Sequence, residues 1–485
     1  MLKKLVEYFQ RYGIRHTTKK IICKLYVNYF EGVFRVNRRL GRRQRAYQEN
    51  YSFPEKKRIS ILVPLYNTPE KFLKEMIDSV LKQTYGRWQL CLADGSDENH
   101  SYVGEVCRSF AEKEPRILYK KLKENRGISE NTNVCIEMAE GEYLALFDHD
   151  DLLHPSALFE VMAEITRSGA DFVYTDEATF AGRETHLLSV HRKPDFYMEN
   201  LRANNYICHF TVFKKALLDK SGVFRKEYDG SQDFDLILRL CENASNIRHI
   251  PKVLYFWRAH SGSVAQDISS KEYAIDAGLR AVEAHLQRQG IPASVEKIKD
   301  GMTIYRVRYD MDEKEIEKLC VLREGEEQRF DAVRRDASIQ YVLLLKKGLE
   351  CPKQEDIKRL LSHMVKQQTA AVTGKIIGKN GKIWTAGVEI REKSGKHRVR
   401  HLYRGFPAKE PGYMNRLLYP TGIPAICNGC MLIRKEYLKE VPAEDLFSME
   451  EWLKLCVELR KNKHDVISEP QVEVRVMELE MRSIL

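Results

Sequence analysis

Three acidic side chains lie within four positions of one another in Asp148-His149-Asp150-Asp151. They follow an apolar and aromatic run, Tyr143–Phe147, that is long enough for one buried strand. Close carboxylates repel one another unless a cation or protons neutralise them, and hard oxygen ligands of this kind suit Mg²⁺ or Mn²⁺. The pattern indicates a divalent metal site at a strand end, although a solvated acidic turn would carry the same residues.

Strand and helix patterns alternate around this stretch. Further strands are predicted by apolar runs at Ile59–Pro64, Leu90–Ala93 and Ile117–Tyr119. The alternation predicts an α/β fold with a mainly parallel sheet and helices on both faces. Polar clusters follow three of the strands, beginning at Asn67, Asp94 and Asp148. Such clusters meet at the carboxyl edge of a parallel sheet, where open α/β sheets bind their ligands.

Length and composition limit the class of protein. The chain has 485 residues, of which 43% are hydrophobic, and has room for about two to three soluble domains. Its sequence shows neither an apolar run long enough to cross a bilayer nor a secretory signal. Its 11 scattered cysteines fit reduced thiols in a cytoplasm. Cys427 and Cys430 have metal-like spacing, but no second pair accompanies them, so no zinc site is expected.

The basic charge is concentrated at the amino terminus. Residues 1–50 contain thirteen Lys or Arg and three Glu, in a chain whose net charge is +11. Apolar residues at helical spacing are interleaved with these cations. Such a basic amphipathic helix can lie on an anionic membrane surface, or it can pack on the rest of the protein with a solvated basic face. A nucleic-acid partner is not expected, because no recognised binding motif accompanies the charge.

Several motifs together resemble the family-2 glycosyltransferases, whose GT-A fold binds nucleotide sugars. The matching pieces span roughly residues 59–265 in the family's order and are Pro64-Leu65-Tyr66-Asn67, Ser79–Tyr85, Asp94-Gly95-Ser96-Asp97, Asn125–Ser129, Asp148–Asp151, Tyr174–Glu177, Gly230–Asp235 and Trp257–His260. Within the family, the chain is most similar to bacterial transferases of surface-polysaccharide assembly, including rhamnosyltransferases.

The resemblance implies a Mn²⁺ or Mg²⁺ ion bound at the acidic cluster. Asp150 would be a direct ligand, and Asp148 would contact the ribose or a metal-bound water. His260 would complete the metal shell, although a lone histidine is also often structural. Asp151 is expected at most to cap the helix that begins near Pro155.

The resemblance also implies a donor pocket. Asp94 would accept hydrogen bonds from the base or ribose, Tyr66 would stack, Arg126 would contact phosphate or base, and Gly127 would allow close backbone approach. For Asn67 and Asn125, loop capping by the side-chain amide is the alternative. The expected donor-binding residues are Pro64, Tyr66, Asn67, Asp94, Asn125, Arg126, Gly127 and Asp148.

Asp233 is the expected catalytic base of an inverting transfer, because by the resemblance it would face the acceptor hydroxyl. An aspartate just before a helix could instead be an ordinary N-cap. Asp235 is expected to point elsewhere on the same helix. On the acceptor side the resemblance implies Asp176, Glu177 and Gln232, and a solvated strand end is the alternative for the first two.

The remaining chain is expected to hold a helical linker over 266–300 and a degenerate GT-A-like domain over 301–485. Ala425–Lys435 resembles Tyr206–Lys215, as a partial internal repeat would. The apolar run Tyr341–Leu345 is followed by Lys346-Lys347-Gly348 in place of acids. This domain is therefore interpreted as inactive.

The full expectation is a cytoplasmic, metal-dependent inverting glycosyltransferase, held at the inner face of the membrane if residues 1–50 bind it. The donor would be a UDP- or dTDP-sugar, and the acceptor a glycan, free or linked to a polyprenyl carrier. A metal-dependent nucleotidyltransferase and an inactive glycan-binding scaffold are the alternatives.

Overall fold

A computed structural model describes Ile14, Val36 and residues 39–260, 271–299, 301–393, 396–426 and 429–477. The chain divides into two compact units. Unit 1 comprises Met1–Phe196 and Tyr206–Ala281, and unit 2 comprises Tyr197–Asn205 and Val282–Leu485. Unit 2 thus takes nine consecutive residues from the middle of unit 1.

Unit 1 is built on a nine-stranded sheet in the order β3-β2-β1-β4-β8-β6-β9-β5, with β7 paired to β6. The strands are β1 Ile59–Leu65, β2 Trp88–Asp94, β3 Ile117–Lys121, β4 Tyr143–Leu146, β5 Leu152–Leu153, β6 Phe172–Phe180, β7 Leu187–His191, β8 Thr211–Lys214 and β9 Ile247–Arg258. Central β1 runs parallel to β2 and β4. The predicted strands around the acidic cluster are confirmed, as is the mixed α/β sheet rich in parallel pairs.

The helices of the first half connect these strands. They are α1 Arg42–Asn50, α2 Glu70–Leu81, α3 Tyr102–Ala111, α4 Ile128–Met138, α5 Ala157–Ser168, α6 Met198–Ala203, α7 Leu218–Ser221, α8 Gln232–Asn243 and α9 Lys271–Arg288. In α2 the buried residues Leu73, Met76, Ile77 and Val80 recur every three to four positions and join the core, as an amphipathic helix on a sheet requires. The boundary between the units falls within α9.

Unit 2 holds a seven-stranded sheet in the order β12-β13-β19-β14-β20-β18, with β15 paired to β14, and the hairpins β10-β11 and β16-β17. The strands are β10 Ala293–Lys297, β11 Tyr305–Tyr309, β12 Leu319–Arg323, β13 Tyr341–Leu345, β14 Thr369–Ile377, β15 Ile383–Thr385, β16 Val388–Lys393, β17 Lys396–His401, β18 Thr421–Gly422, β19 Cys430–Arg434 and β20 Asp465–Arg475. The helices are α10 Phe330–Arg335, α11 Gln354–Ser362 and α12 Met449–Lys461.

The strand pairing of unit 2 repeats that of unit 1. In unit 1, β1 is parallel to β4, β4 and β6 flank β8 antiparallel to it, and β6 is parallel to β9. In unit 2, β12, β13, β19, β14 and β20 pair in the same order and directions. Among the described residues, the unit 2 sheet stops at β12, where unit 1 continues with β2 and β3. The internal repeat therefore covers the sheet without its first edge.

Most of residues 1–50 lie outside the described residues, so the membrane interpretation stays a prediction. The exception is α1, where the Thr84 hydroxyl donates to Gln48 Oε1 at 2.8 Å and the rings of Tyr47 and Phe159 are 6.4 Å apart. This part of the basic region packs on unit 1. Within the part of the chain that is described, no helix is both long and apolar enough to span a membrane. Cys427 is outside the described residues, so the expectation of no zinc site at Cys427 and Cys430 stays a prediction.

Candidate active site

Asp94 ends β2 at the carboxyl edge of the unit 1 sheet and is fully buried. Its Oδ1 accepts the backbone N–H of Ser96 at 2.8 Å, and its Oδ2 accepts from Tyr119 Oη at 2.8 Å and Lys121 Nζ at 3.2 Å. Burial, followed by the hydrogen bond to Asp94, raises the pKa of the Tyr119 phenol. Tyr119 therefore stays protonated and holds the carboxylate in place.

The loops after β1 and β2 are bonded to each other. Asn67 Nδ2 donates to Asp97 Oδ2 at 2.7 Å, and the Asp97 N–H donates to Asn67 Oδ1 at 3.1 Å. The Asn67 N–H also donates to Ser96 Oγ at 2.9 Å. The Asn67 amide thus holds the two loops together, which is the alternative role expected for it. Tyr66 beside it is 48% exposed, and its stacking on a donor base stays a prediction.

The loop before α4 contains the other predicted donor residues. Asn125 Oδ1 accepts the Gly127 N–H at 3.1 Å and Asn131 Nδ2 at 2.8 Å. Gly127 has φ +97°, and a Cβ on it would lie 2.8 Å from Asp229 Oδ2, so only glycine fits without displacing that carboxylate. Arg126 is exposed, with its Nε 3.1 Å from Glu124 Oε1, and its contact with phosphate or base stays a prediction.

The predicted metal ligands Asp150 and His260 lie together. His260 Nε2 is 2.8 Å from Asp150 Oδ2, and the two side chains are 24% and 17% exposed. Arg258 Nε donates to the Asp150 carbonyl at 2.5 Å. The turn after β4 and the end of β9, 110 residues apart in sequence, are thereby brought to one place.

Asp151 has a different role from the one expected. It accepts from Tyr255 Oη at 2.5 Å and from the Arg258 N–H at 2.6 Å, and it is fully buried. The following helix begins at Ala157 with Ser156 in the N-cap position, so the prediction that Asp151 caps it is wrong. The reason is that β9 offers buried donors that the local sequence does not reveal. Burial, and then the charges of Asp148 and Asp150, raise the pKa of Asp151 well above its ordinary value.

His209 was not anticipated as a site residue. Its Nε2 is 3.2 Å from Asp148 Oδ2 and its Nδ1 is 3.3 Å from Glu177 Oε2. The ring stacks on Tyr255 with centroids 4.5 Å apart and 14° between the planes. Burial opposes the charged form, but the neighbouring Cys208 and the two carboxylates raise the pKa of His209 well above its ordinary value. In the sequence, its one signal is a position just before a strand.

Asp233 lies in the first turn of α8, whose N-cap residue is Ser231. Cys208 Sγ is 3.5 Å from Asp233 Oδ2, and the same Sγ is 3.4 Å from His209 Nε2. Burial raises the pKa of Asp233 above its ordinary value, an effect that His209 opposes. A carboxylate with a raised pKa is a better proton acceptor than an ordinary aspartate.

Asp235 points elsewhere, as expected. It is fully buried and pairs with Arg225 at 2.5 Å and Arg239 at 2.6 Å. These two arginines neutralise a carboxylate that has no access to solvent, so its role is structural.

The residues predicted on the acceptor side are held by protein groups. Asp176 is 1% exposed and accepts from Arg192 Nη1 at 3.0 Å, the Lys193 N–H at 2.9 Å and His249 Nε2 at 2.9 Å. Glu177 is buried, and Lys193 Nζ donates to it at 3.0 Å. Gln232 Oε1 accepts the Gly230 N–H at 2.9 Å. Acceptor contact by these residues stays a prediction, and the burial of Asp176 argues against it.

The donor set fits a hard divalent cation. Besides Asp150 and His260, oxygen and nitrogen atoms of Asp148, Asp151 and His209 lie within 4.8 Å of one another. Carboxylate oxygen and imidazole nitrogen are suitable ligands for Mn²⁺. Both oxygens of Asp151 already accept hydrogen bonds, and metal binding by Asp148, Asp150 and His260 stays a prediction.

A cavity of about 410 Å³ lies at the opposite, amino-terminal edge of the same strands, beside Arg58, Trp88 and Arg116. Its arginines are already engaged, since Arg58 pairs with Glu140 at 2.5 Å and Arg116 pairs with Glu114 and stacks over Trp88 at 3.9 Å. The side chains that line this cavity therefore offer no set of groups comparable to the carboxylates and histidines at the carboxyl edge of the sheet.

Residues 60–223 match the model of Glycosyl transferase family 2, which identifies this part of unit 1 as a family-2 glycosyltransferase domain. The match begins in β1 and ends shortly before α8, so it includes the acidic cluster and His209. From unit 2 the family model includes Tyr197–Asn205 alone, since it ends at residue 223 and the rest of unit 2 begins at Val282.

Two curated proteins illustrate the relationship. The chain is 31% identical over 482 residues to the uncharacterized protein y4gI of Sinorhizobium fredii, covering 86% of this chain and 52% of that protein. It is 33% identical over 252 residues to the O-antigen biosynthesis protein RfbC of Myxococcus xanthus, covering 52% of this chain and 20% of that one. The chain thus spans about half the length of the first relative and about a fifth of the second.

Among solved structures, S. aureus TarS 1–349 in complex with UDP-GlcNAc aligns at 20% identity and a TM-score of 0.40, over 47% of this chain and 66% of that one. The mannosyltransferase PcManGT from Pyrobaculum calidifontis, in complex with GDP-Man and Mn²⁺, aligns at 17% identity and a TM-score of 0.37, over 50% and 70%.

Proposed function

We propose that the chain is a metal-dependent inverting glycosyltransferase that moves a sugar from a UDP- or dTDP-linked donor to a glycan acceptor. The family match supports the reaction class. The relationship to an O-antigen biosynthesis protein supports surface polysaccharide as the product. The acceptor would be a growing glycan, free or carried on a polyprenyl diphosphate.

The observation that carries the proposal is a series of contacts joining Asp94 to Asp233. Asp94 accepts from Ser96, whose hydroxyl accepts from the loop after β1. In that loop, Thr68 Oγ1 lies 2.9 Å from Nδ1 of His149, inside the acidic cluster.

The series continues on the other side of the cluster. Asp148 contacts His209 at 3.2 Å, and Cys208 contacts both His209 at 3.4 Å and Asp233 at 3.5 Å. These contacts link Asp94, Asp148 and Asp233 one to the next, which supports a single site for one donor and one acceptor.

Each group has a defined task in the reaction. Asp94 would accept hydrogen bonds from the nucleoside, and Arg126 would contact the diphosphate. Asp148, Asp150 and His260 would hold a divalent ion, which would supply Lewis-acid stabilisation to the departing diphosphate. Asp233 would take the proton of the acceptor hydroxyl while the oxygen of that hydroxyl forms a bond to C1 of the sugar. The bond from C1 to the β-phosphate oxygen breaks, and the nucleoside diphosphate leaves with that electron pair.

The test is turnover of the full chain with Mn²⁺ and a panel of UDP-, dTDP- and GDP-sugars, with release of nucleoside diphosphate as the readout. One donor class should be consumed, and Asp233→Asn should bind that donor normally while losing transfer. Asp219→Asn is the matched control, because Asp219 is an exposed carboxylate of unit 1, and it should leave turnover unchanged.

The products separate the alternatives. Release of diphosphate from a nucleoside triphosphate would indicate a nucleotidyltransferase. Glycan binding without turnover of any sugar nucleotide would indicate a scaffold. Either result would overturn the proposal, as would full transfer by Asp233→Asn.

A further inference from the structure

Nine residues of the first half of the chain are part of unit 2. The chain leaves unit 1 after Phe196, contributes Tyr197–Asn205 to unit 2, and returns to unit 1 at Tyr206. We call Tyr197–Asn205 the inserted segment. It contains the short helix α6, and only three residues separate its end from His209.

A buried charge cluster in unit 2 holds the inserted segment. The Glu199 side chain is 4% exposed and accepts from Lys366 Nζ at 2.6 Å, from Arg202 Nη1 at 3.2 Å and from Tyr309 Oη at 2.8 and 2.9 Å. Lys366 is itself 2% exposed. A buried carboxylate of this kind is tolerated only with its partners in place, because an unpaired charge in the interior is strongly unfavourable.

Neutral contacts fix the rest of the inserted segment. Asn200 Oδ1 accepts the Gly422 N–H at 2.7 Å, and Asn204 Nδ2 donates to the Thr303 carbonyl at 3.3 Å. Tyr197 packs so closely on Gly422 that a Cβ there would lie 2.1 Å from its ring. Along its length, the inserted segment is therefore bound to the body of unit 2.

The two flanks of the inserted segment meet at the candidate active site. On the incoming side, Lys193 Nζ donates to Glu177 at 3.0 Å, to the Ile207 carbonyl at 2.6 Å and to the His209 carbonyl. On the outgoing side, His209 contacts Asp148 and Glu177. The chain on either side of the inserted segment thus converges on Glu177.

We propose that Glu199 and Lys366 are positioning residues for the catalytic centre of unit 1. By holding the inserted segment they fix the path of the chain into Tyr206–His209 and so the placement of Cys208 and His209 beside Asp148 and Asp233. This gives unit 2 a role that needs no chemistry of its own. The catalytic part of the inference rests on the proposed function, whereas the structural part does not.

Hydrogen exchange of the full-length protein tests the structural part directly. Lys366→Met leaves Glu199 without its main partner, and amide exchange over residues 206–211 should become about tenfold faster. The double variant Glu199→Gln/Lys366→Met also leaves the buried Arg202 without its carboxylate, so exchange should be at least as fast as in Lys366→Met, and a return to the wild-type rate would contradict the proposal.

The control is Phe330→Leu, a fully buried core position of unit 2 that contributes to none of the contacts above. If Phe330→Leu and Lys366→Met lower Tm equally and speed exchange of 206–211 equally, or if Lys366→Met leaves that exchange unchanged, the proposal is wrong. Should Lys366→Met fail to fold, Tyr309→Phe, which removes one hydroxyl, takes its place. It should give a smaller increase over the same residues, and no increase would contradict the proposal.

Turnover provides the second readout. A displaced His209 should lower kcat about tenfold, while KM for the donor changes less than about twofold because Asp94 and its loop are untouched. If exchange responds as expected but no sugar nucleotide is turned over even by the wild type, the proposed function fails and the positioning inference stands.

Discussion

His260 Nε2 lies 2.8 Å from Asp150 Oδ2, although the two residues are 110 positions apart in sequence. At this distance the imidazole and the carboxylate share a proton. Under the proposed function, the same two groups would instead turn toward one divalent cation and both bind it.

Metal dependence is the first consequence. His260→Ala should raise the Mn²⁺ concentration for half-maximal transfer at least about tenfold, because one ligand is lost while Asp150 remains. His186→Ala, an exposed histidine of unit 1, is the control and should leave the metal titration unchanged. An identical Mn²⁺ dependence in both variants would remove His260 from the metal site.

If Asp233 is the catalytic base, kcat should begin to fall on acidification at a higher pH than it would for a base with the ordinary aspartate pKa. Burial raises the pKa of this carboxyl, and a base works only when deprotonated, so kcat should drop as pH decreases through that raised value. The pH profile of kcat measures it, and Asp233→Asn should lose about 10²–10⁴-fold and show no such acid limb. Retention of the limb in the variant would assign it to another group.

The same shift predicts an effect on stability with a defined sign. Because the pKa of Asp233 is higher in the folded than in the unfolded state, the folded state binds more protons, and stability falls as pH rises through the window between the two values. At pH 7 the ionised form carries this cost, which asparagine lacks. Asp233→Asn should therefore raise Tm by roughly 2–4 °C at pH 7, with the difference vanishing in acid. A lower Tm at pH 7 would contradict the raised pKa.

Asp94→Asn should weaken donor binding. An amide replaces an oxygen acceptor that Tyr119 and Lys121 orient, and loss of one charged hydrogen bond corresponds to about 10–100-fold in KM for the donor. Measured kcat should change much less, because under the proposed function Asp94 contacts the nucleoside and not the reacting sugar. Tyr119→Phe, which leaves the carboxylate in place, should give a smaller increase in KM. Equal KM values for wild type and Asp94→Asn would exclude nucleoside contact.

Gly127→Ala should damage the donor loop. The added Cβ would lie 2.8 Å from Asp229 Oδ2, and the alanine would have to keep the φ of +97° that glycine has here, where alanine is strained. Gly182→Ala is the control, because Gly182 also has positive φ, +70°, but has nothing within 4 Å. Donor KM should rise for Gly127→Ala alone, whereas a small loss of Tm is expected for both. A rise in KM shared by both variants would show that strain, not the collision, is responsible.

The strands around the site could be predicted because their signal is local. Runs such as Ile59–Pro64 and Leu90–Ala93 are buried on both faces and read as continuous apolar segments. Their polar ends then fall at one edge by topology alone, which is why Asp94 and Asp148 were found together.

Residues whose roles depend on distant partners were harder to predict. Asp151 was interpreted from its neighbours in sequence, whereas its hydrogen bonds come from Tyr255 and Arg258 on β9. His209 has no motif of its own, and its importance follows from the way Asp148 and Glu177 lie on either side of its ring. The assignment of Tyr197–Asn205 to unit 2 could not be predicted either, because the contacts of this segment with unit 2 produce no periodic pattern in the sequence.

The reciprocal hydrogen bonds between Asn67 and Asp97 have a consequence for ligand recognition. Because the loops after β1 and β2 are hydrogen-bonded to each other, neither loop can move without the other. The conformational entropy of ordering the two loops is then lost on folding and not on ligand binding. A nucleotide that bound beside these loops would meet a preformed surface, and selectivity among bases would depend on the fit to that surface and not on loop closure.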